Sequence, residues 1–110
     1  MPFQVHIITL VPALWETILS ADGGLVGRAF ADSKAELHIH NLRDYGKGVH
    51  RQVDDNPFGG GAGMVLGIEP LHQAVQTVRK SLNGPIFLLS PRGETFQQPR
   101  AHQLAATEGF

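Results

Sequence analysis

The sequence predicts an α/β fold, a mostly parallel sheet with flanking helices. Three observations lead there. Short runs rich in β-branched residues alternate with stretches of helical period, glycine and proline punctuate nearly every junction, and the order reads strand, helix, strand, loop, helix, strand, helix. Such alternation layers helices on a parallel sheet and gathers ligands at the carboxyl ends of the strands. With 110 residues, 42% of them hydrophobic and 17% charged, the chain has room for one ordered domain, residues 1–110.

"FQVHIITL" opens with Val5, Ile7 and Ile8 in a run that reads as a buried strand ending near Pro12. Leu14, Trp15, Ile18 and Leu19 then share one helical stripe, which Asp22-Gly23-Gly24 breaks before a second short helix through Leu25, Val26 and Phe30. "ELHIHNL" alternates Leu37 and Ile39 against His38 and His40, the period of a half-exposed strand with both histidines on its exposed side. Leu71, Val75 and Val78 predict a helix whose first turn tolerates Pro70 and favours Glu69. "GPIFLLS" reads as a central strand, followed by a loop and a helix through Ala101, Leu104 and Ala105. Gly109 closes that helix, and Phe110 reads as the first residue of another strand.

Composition narrows the function. With no cysteine, there is no disulfide, thiolate metal site or cysteine nucleophile, and the expected location is cytoplasmic. The apolar start is broken by Gln4, His6 and Pro12 and lacks a basic leader, so it predicts neither a signal peptide nor a membrane span. A net charge of -1 does not advertise a generic nucleic-acid binder.

From Arg43 to about Gly67 no apolar periodicity survives, and so long an irregular segment points to function or disorder. It contains Arg43, Asp44, His50, Arg51, Asp54 and Asp55, the Asn56-Pro57 turn and the cluster "GGGAG". The glycines either cradle phosphate through backbone N–H groups or serve as a connector with positive φ angles. Gly63 is followed by Met64 and Val65 rather than Lys-Ser/Thr, so this is not a P-loop. Asp54 and Asp55 read as a base and helper, as metal ligands, or as turn-capping residues, and alternation lets only one of them face a given ligand. No histidine pair has zinc-protease spacing, and His50 alone sits among the other loop candidates. Mixed charge, an imidazole and glycines together suit a polar ligand such as a nucleobase with its phosphates. "LLSPRGETF" leaves the end of the predicted strand, either as a plain Pro-Gly turn or as a place of cofactor contact.

Taken together, "LRDYGKGVHRQVDDNPFGGGAGMVL", "EPL" and "LLSPRGETFQQ" resemble the amino-terminal half of the bacterial tRNA (guanine-N1)-methyltransferase family, which methylates the guanine just 3′ of the anticodon. The resemblance implies the amino-terminal portion of a trefoil-knotted SPOUT-type methyltransferase domain, S-adenosyl-L-methionine as cofactor, tRNA as substrate, and a homodimer with its active site at the subunit interface. It implies cofactor contact at Leu89, Ser90, Pro91 and Gly93 and a guanine bordered by His50, Asp54, Gly59, Gly60 and Gly61, while the histidine spacing by itself predicts no metal site. In the family the general base is an aspartate lying beyond residue 110, as do the knot-completing segment and a tRNA-binding domain, so 1–110 is expected to be a partial domain. The resemblance also implies that the glycine loop is ordered only when tRNA arrives. Between Asp44 and His50 the chain reads "YGKGV", where the family has an acidic residue just before a basic one and the histidine. Two other readings remain: a half that folds or dimerises without binding cofactor, and a metal-dependent hydrolase using Asp54, Asp55 and His50.

Overall fold

The computed structural model describes residues 2–20, 22–55, 57 and 59–110. Strand β1 (Phe3–Thr9) and strand β2 (Ala35–Asn41) pair in parallel, from Phe3 opposite Ala35 to Thr9 opposite Asn41. Parallel neighbours need a crossover, and helices α1 (Pro12–Ile18) and α2 (Gly24–Ala31) provide it, each contacting β2. Pro12 starts α1, where a missing N–H costs nothing. The indole Nε1–H of Trp15 donates to Thr9 Oγ1 at 3.1 Å, tying α1 to the end of β1.

The other edge of β1 is also occupied. Gly109 forms a parallel bridge with Gln4, the Gln4 and Phe110 amides donate to the Glu108 and Gln4 carbonyls at 3.0 Å each, and the His6 amide donates to the Phe110 carbonyl at 2.8 Å. Phe110 does begin a strand-like pairing. Gly109 sits at φ +151° with the Gln4 carbonyl where a Cβ would stand, so no larger residue fits there.

Two expectations about strands are corrected. β1 is half-buried rather than buried along its whole length. Gly84–Ser90, expected to be a central strand, is in no ladder; Leu88 and Leu89 are 83% and 85% exposed. A strand exists through its neighbours' hydrogen bonds, and both edges of β1 are already taken, by β2 and by residues 108–110. Phe87 packs against Phe110, but among the described residues 86–89 forms no ladder with that neighbour.

The aperiodic segment has more structure than its pattern predicts. A 3-10 turn (Leu42–Tyr45) follows β2, and a two-residue antiparallel ladder joins β3 (Asp54–Asp55) to β4 (Val65–Leu66). Helix α3 (Ile68–Arg79) begins just beyond β4, and α4 (Gln98–Ala105) is the last helix. Of the expected Asn56-Pro57 turn, Asn56 lies outside the described residues.

The core lies under this segment. Leu42, Val53 and Ala74 are 2%, 4% and 0% exposed and pack together, with Ile8, Tyr45 and Leu71 against them. Val53 is the apolar residue just before the paired aspartates, and Ala74 lets α3 approach it closely. Among the described residues, no helix is long and apolar enough to cross a membrane.

This assignment predicts that Leu42→Ala destabilises the protein by about 2–5 kcal/mol, the usual cost of a large-to-small change in a packed core. Gln76→Ala, on the exposed side of α3, should stay within about 0.5 kcal/mol. Urea unfolding monitored by circular dichroism measures both; equal losses would refute the placement of the core.

Candidate functional site

Two concavities collect four of the nine predicted site residues, Asp54 in one and Leu89, Ser90 and Gly93 in the other. The first is a cleft of about 520 Å³ beside the core, between the β3–β4 ladder and the start of α3. Val53, Asp54 and Asp55 form one wall, Val65, Leu66 and Gly67 another, and Lys47, Glu69 and His72 bring charge and an imidazole. Both aspartates border it, one residue of the pair on each side of an extended strand whose side chains alternate.

The cleft is built from backbone outward. The Gly67 amide donates to the Val53 carbonyl at 2.6 Å, closing the ladder onto α3. Lys47 and Gln52 exchange backbone hydrogen bonds of 2.9 Å, which folds residues 47–52 into a tight excursion carrying Val49 and His50 at its exposed end. Arg51, with φ +51°, turns the chain back, and its guanidinium donates to Asp44 Oδ1 at 3.2 Å. Lys47 Nζ lies 2.7 Å from Glu69 Oε2 across the mouth of the cleft. Their mutual hydrogen bond, and then Coulomb attraction, hold Lys47 above and Glu69 below their ordinary pKa values. Asp55 adds a weaker pull on Lys47.

His50 and Gly59–Gly61, predicted to border the same ligand as Asp54, are exposed and do not line the cleft. The three glycines have φ of +79°, +86° and +109°, the left-handed side of backbone space that the connector reading anticipates. Sequence reasoning missed Lys47 and His72. Lys47 sits in an aperiodic stretch, and its partner Glu69 is too far along the chain for any local spacing rule to connect them.

The second concavity is a groove of about 780 Å³ lined by Leu89, Ser90 and Gly93, three of the four predicted cofactor residues. Pro91 is exposed and outside its wall. The predicted turn is present: the Gly93 amide donates to the Ser90 carbonyl at 3.0 Å and the Arg92 amide to Ser90 Oγ at 3.1 Å. Across the groove, Phe110 meets Phe3 and Phe87 edge-on, with ring centroids 5.8 and 5.7 Å apart. Phe96, Leu104 and the polar pair Glu94 and Arg100, 3.4 Å apart, complete it. Among the described residues, no group of three or more histidine, aspartate or glutamate side chains is arranged to hold a metal ion.

The comparisons with known proteins agree with one another. The family model described as tRNA (Guanine-1)-methyltransferase TrmD matches residues 3–110. A tRNA (guanine-N(1)-)-methyltransferase of Roseobacter denitrificans is 39% identical over 109 residues, 97% of this chain and 44% of that protein. One from Caldanaerobacter subterraneus is 39% identical over 102 residues, 93% of this chain and 42% of that one. The crystal structure of tRNA (m1G37) methyltransferase from Aquifex aeolicus superposes with a TM-score of 0.82 at 30% identity, covering 99% of this chain and 49% of that one. The chain thus spans under half the length of the curated relatives it matches.

Removing the ammonium in Lys47→Met should return the Glu69 carboxyl upward to its ordinary titration range, read by carbon-13 NMR. The sign follows from linkage. Glu69 is lowered in the folded state, so its share of stability is present above its unfolded value and fades as pH falls through the lowered one. Both groups are exposed, so the accompanying change in unfolding midpoint should be small. An unmoved Glu69 titration would remove this pair from the cleft.

Proposed function

Because this chain belongs to the tRNA (guanine-1)-methyltransferase family, we propose that the protein it forms transfers a methyl group from S-adenosyl-L-methionine to N1 of guanine 37 in tRNA. The superposition on the tRNA (m1G37) methyltransferase of Aquifex aeolicus, over 99% of the chain, carries this reading. In this proposal the protein works as a cytoplasmic homodimer, each active site at the subunit interface, and residues 1–110 form the amino-terminal portion of a trefoil-knotted SPOUT domain.

The groove suits an adenosine-type cofactor. Its volume falls within the roughly 300–1,000 Å³ of small-molecule sites, its aromatic and aliphatic walls match a purine face, and Ser90, Glu94 and Arg100 supply a few polar groups. Leu89, Ser90 and Gly93 hold the cofactor, with Pro91 shaping the turn. The cofactor, when bound, supplies a methyl group on an electrophilic sulfonium.

Asp54 accepts a hydrogen bond from the N–H edge of a guanine drawn out of its stack, which discriminates guanine from adenine. Gly59, Gly60 and Gly61, without side chains, let the backbone approach the base or its phosphates. His50, at the exposed end of the 47–52 excursion, contacts the neighbouring nucleotide. Guanine N1 must lose its proton to become nucleophilic. The acceptor is an aspartate outside these 110 residues, so Asp54 and His50 position rather than deprotonate. Such positioning lowers the barrier mainly by fixing reactants near the attack geometry.

Residues 52–55 and 65–67 are anchored by Val53 and by the β3–β4 ladder. In this proposal tRNA orders the glycine-rich connection between them. A second reading, that residues 1–110 by themselves fold or dimerise without binding cofactor, draws on the exposure of Leu88 and Leu89, which leaves one side of the groove open.

Methyl transfer from tritiated S-adenosylmethionine to tRNA transcripts with guanosine or adenosine at position 37 tests the proposal. The natural full-length protein should label only the guanosine transcript. Asp54→Ala should lower kcat/KM by about ten- to hundredfold, the loss of a hydrogen bond of about 1.5–3 kcal/mol to a charged group. Leu89→Arg should weaken cofactor binding and spare tRNA binding. Equal labelling of both transcripts, or none by the full-length protein, would overturn the assignment. In calorimetry on residues 1–110 alone, saturable cofactor binding would eliminate the second reading.

A further inference from the structure

Three imidazoles meet on the sheet face that carries Ile8. His6 lies opposite His38 in the β1–β2 register, and Ile8 lies opposite His40. The His6 ring stacks on His38 with centroids 4.5 Å apart and planes 12° apart, and on His40 at 5.2 Å and 13°. His6 Nδ1 is 2.9 Å from His40 Nε2, and His6 Nε2 is 3.0 Å from Gln4 Oε1. The alternation of His38 and His40 predicts a solvent-facing placement; the His38 side chain is 42% exposed, while His6 and His40 are half-buried.

The proton count across these bonds is constrained. An amide oxygen only accepts, so His6 Nε2 carries hydrogen in the bond to Gln4. In a neutral His6, Nδ1 is then a lone-pair acceptor, and His40 Nε2 donates to it. A proton added to His6 Nδ1 keeps both bonds, provided His40 shifts its own hydrogen to Nδ1. A second proton leaves N–H facing N–H at 2.9 Å with no acceptor between them.

We propose that the His6–His40 pair is an acid-sensitive clasp between β1 and β2, which takes up one proton with its bonds intact and comes apart on the second. The charged surroundings do not rescue the doubly protonated state. From β2, Glu36 favours charge on His6 but is also 3.3 Å from His38 Nε2, and His38 opposes charge on both rings. From α3, Glu69 is engaged by Lys47 while His72 and Arg79 are exposed, and Glu108, flanking β1, is exposed as well. Burial first, then the neighbouring histidines, hold His6 and His40 below the ordinary imidazole pKa. The unfolded chain therefore binds more protons, and stability falls as pH drops from the ordinary imidazole value through the lowered folded ones. The loosening reaches the groove, because the His6 amide holds the Phe110 carbonyl and the Phe110 amide holds that of Gln4.

The test is proton NMR of the imidazole rings in the natural full-length protein, from about pH 8 to about pH 4.5. His6 and His40 should titrate in two steps separated by more than about one pH unit, as coupled sites do. Hydrogen-exchange protection of the His6 and Phe110 amides, corrected for intrinsic rates, should fall at least about tenfold across the second step, equivalent to about one pK unit of coupling. In His40→Gln, whose side chain both donates and accepts, that second loss should vanish. If the variant does not fold, the natural protein decides alone. Independent titration in one common step, or unchanged protection through both steps, would overturn the clasp.

Discussion

The burial of Val53 is the constraint from which the rest of the candidate site follows. It sits between Gln52 and the paired aspartates, and packs to 4% exposure against Leu42 and Ala74. Removing a side chain of that size from water is worth about 1.5–3 kcal/mol. No exposed ion pair in the segment, Arg51–Asp44 included, approaches that. The contact fixes where Asp54 and Asp55 begin, and the Val53 carbonyl, by accepting from Gly67, fixes where α3 begins. Both walls of the cleft therefore hang from one apolar residue set among polar ones.

A second constraint operates at β1, whose two edges are filled by β2 and by residues 108–110. This double occupancy brings Phe110 between Phe3 and Phe87 and forms the floor of the apolar groove. It also leaves residues 86–89 without a ladder in this chain. The groove therefore owes its shape to aromatic contacts and to the turn at Ser90–Gly93, not to a continuous sheet beneath Leu88 and Leu89.

The elements that were legible are those whose pattern is local. The period-two run around Ile39, the helix through Leu71, Val75 and Val78, the break at Gly23-Gly24 and the turn through Pro91 and Gly93 all occur where their spacing puts them. What was illegible depends on partners distant in sequence. "GPIFLLS" has the composition of a central strand, but composition cannot report whether an edge is available to receive it. Val53 is a lone apolar residue in a polar segment, so no periodicity marks it as core. The same holds for the site: Asp54, Leu89, Ser90 and Gly93 line cavities, while His50, Gly59–Gly61 and Pro91 lie on exposed backbone outside them. The His6–His40 contact depends on strand register, which a single sequence does not specify.

The composition of the 51–64 stretch then has a physical explanation. Fixing backbone costs roughly 1–2 kcal/mol per residue, and glycine loses more than any other. A segment with Gly59, Gly60, Gly61 and Gly63 all at positive φ is therefore expensive to hold in one conformation. The chain confines that expense to the tip. On one side Val53 is packed into the core, on the other Val65 and Leu66 pair back onto Asp55 and Asp54, and only the connection between them depends on glycine. A ligand that settles on the tip has to offset the ordering of a few residues rather than of the whole aperiodic segment. Left-handed backbone without a Cβ allows close approach, and the paired carboxylates at its base are held by the ladder rather than by the tip.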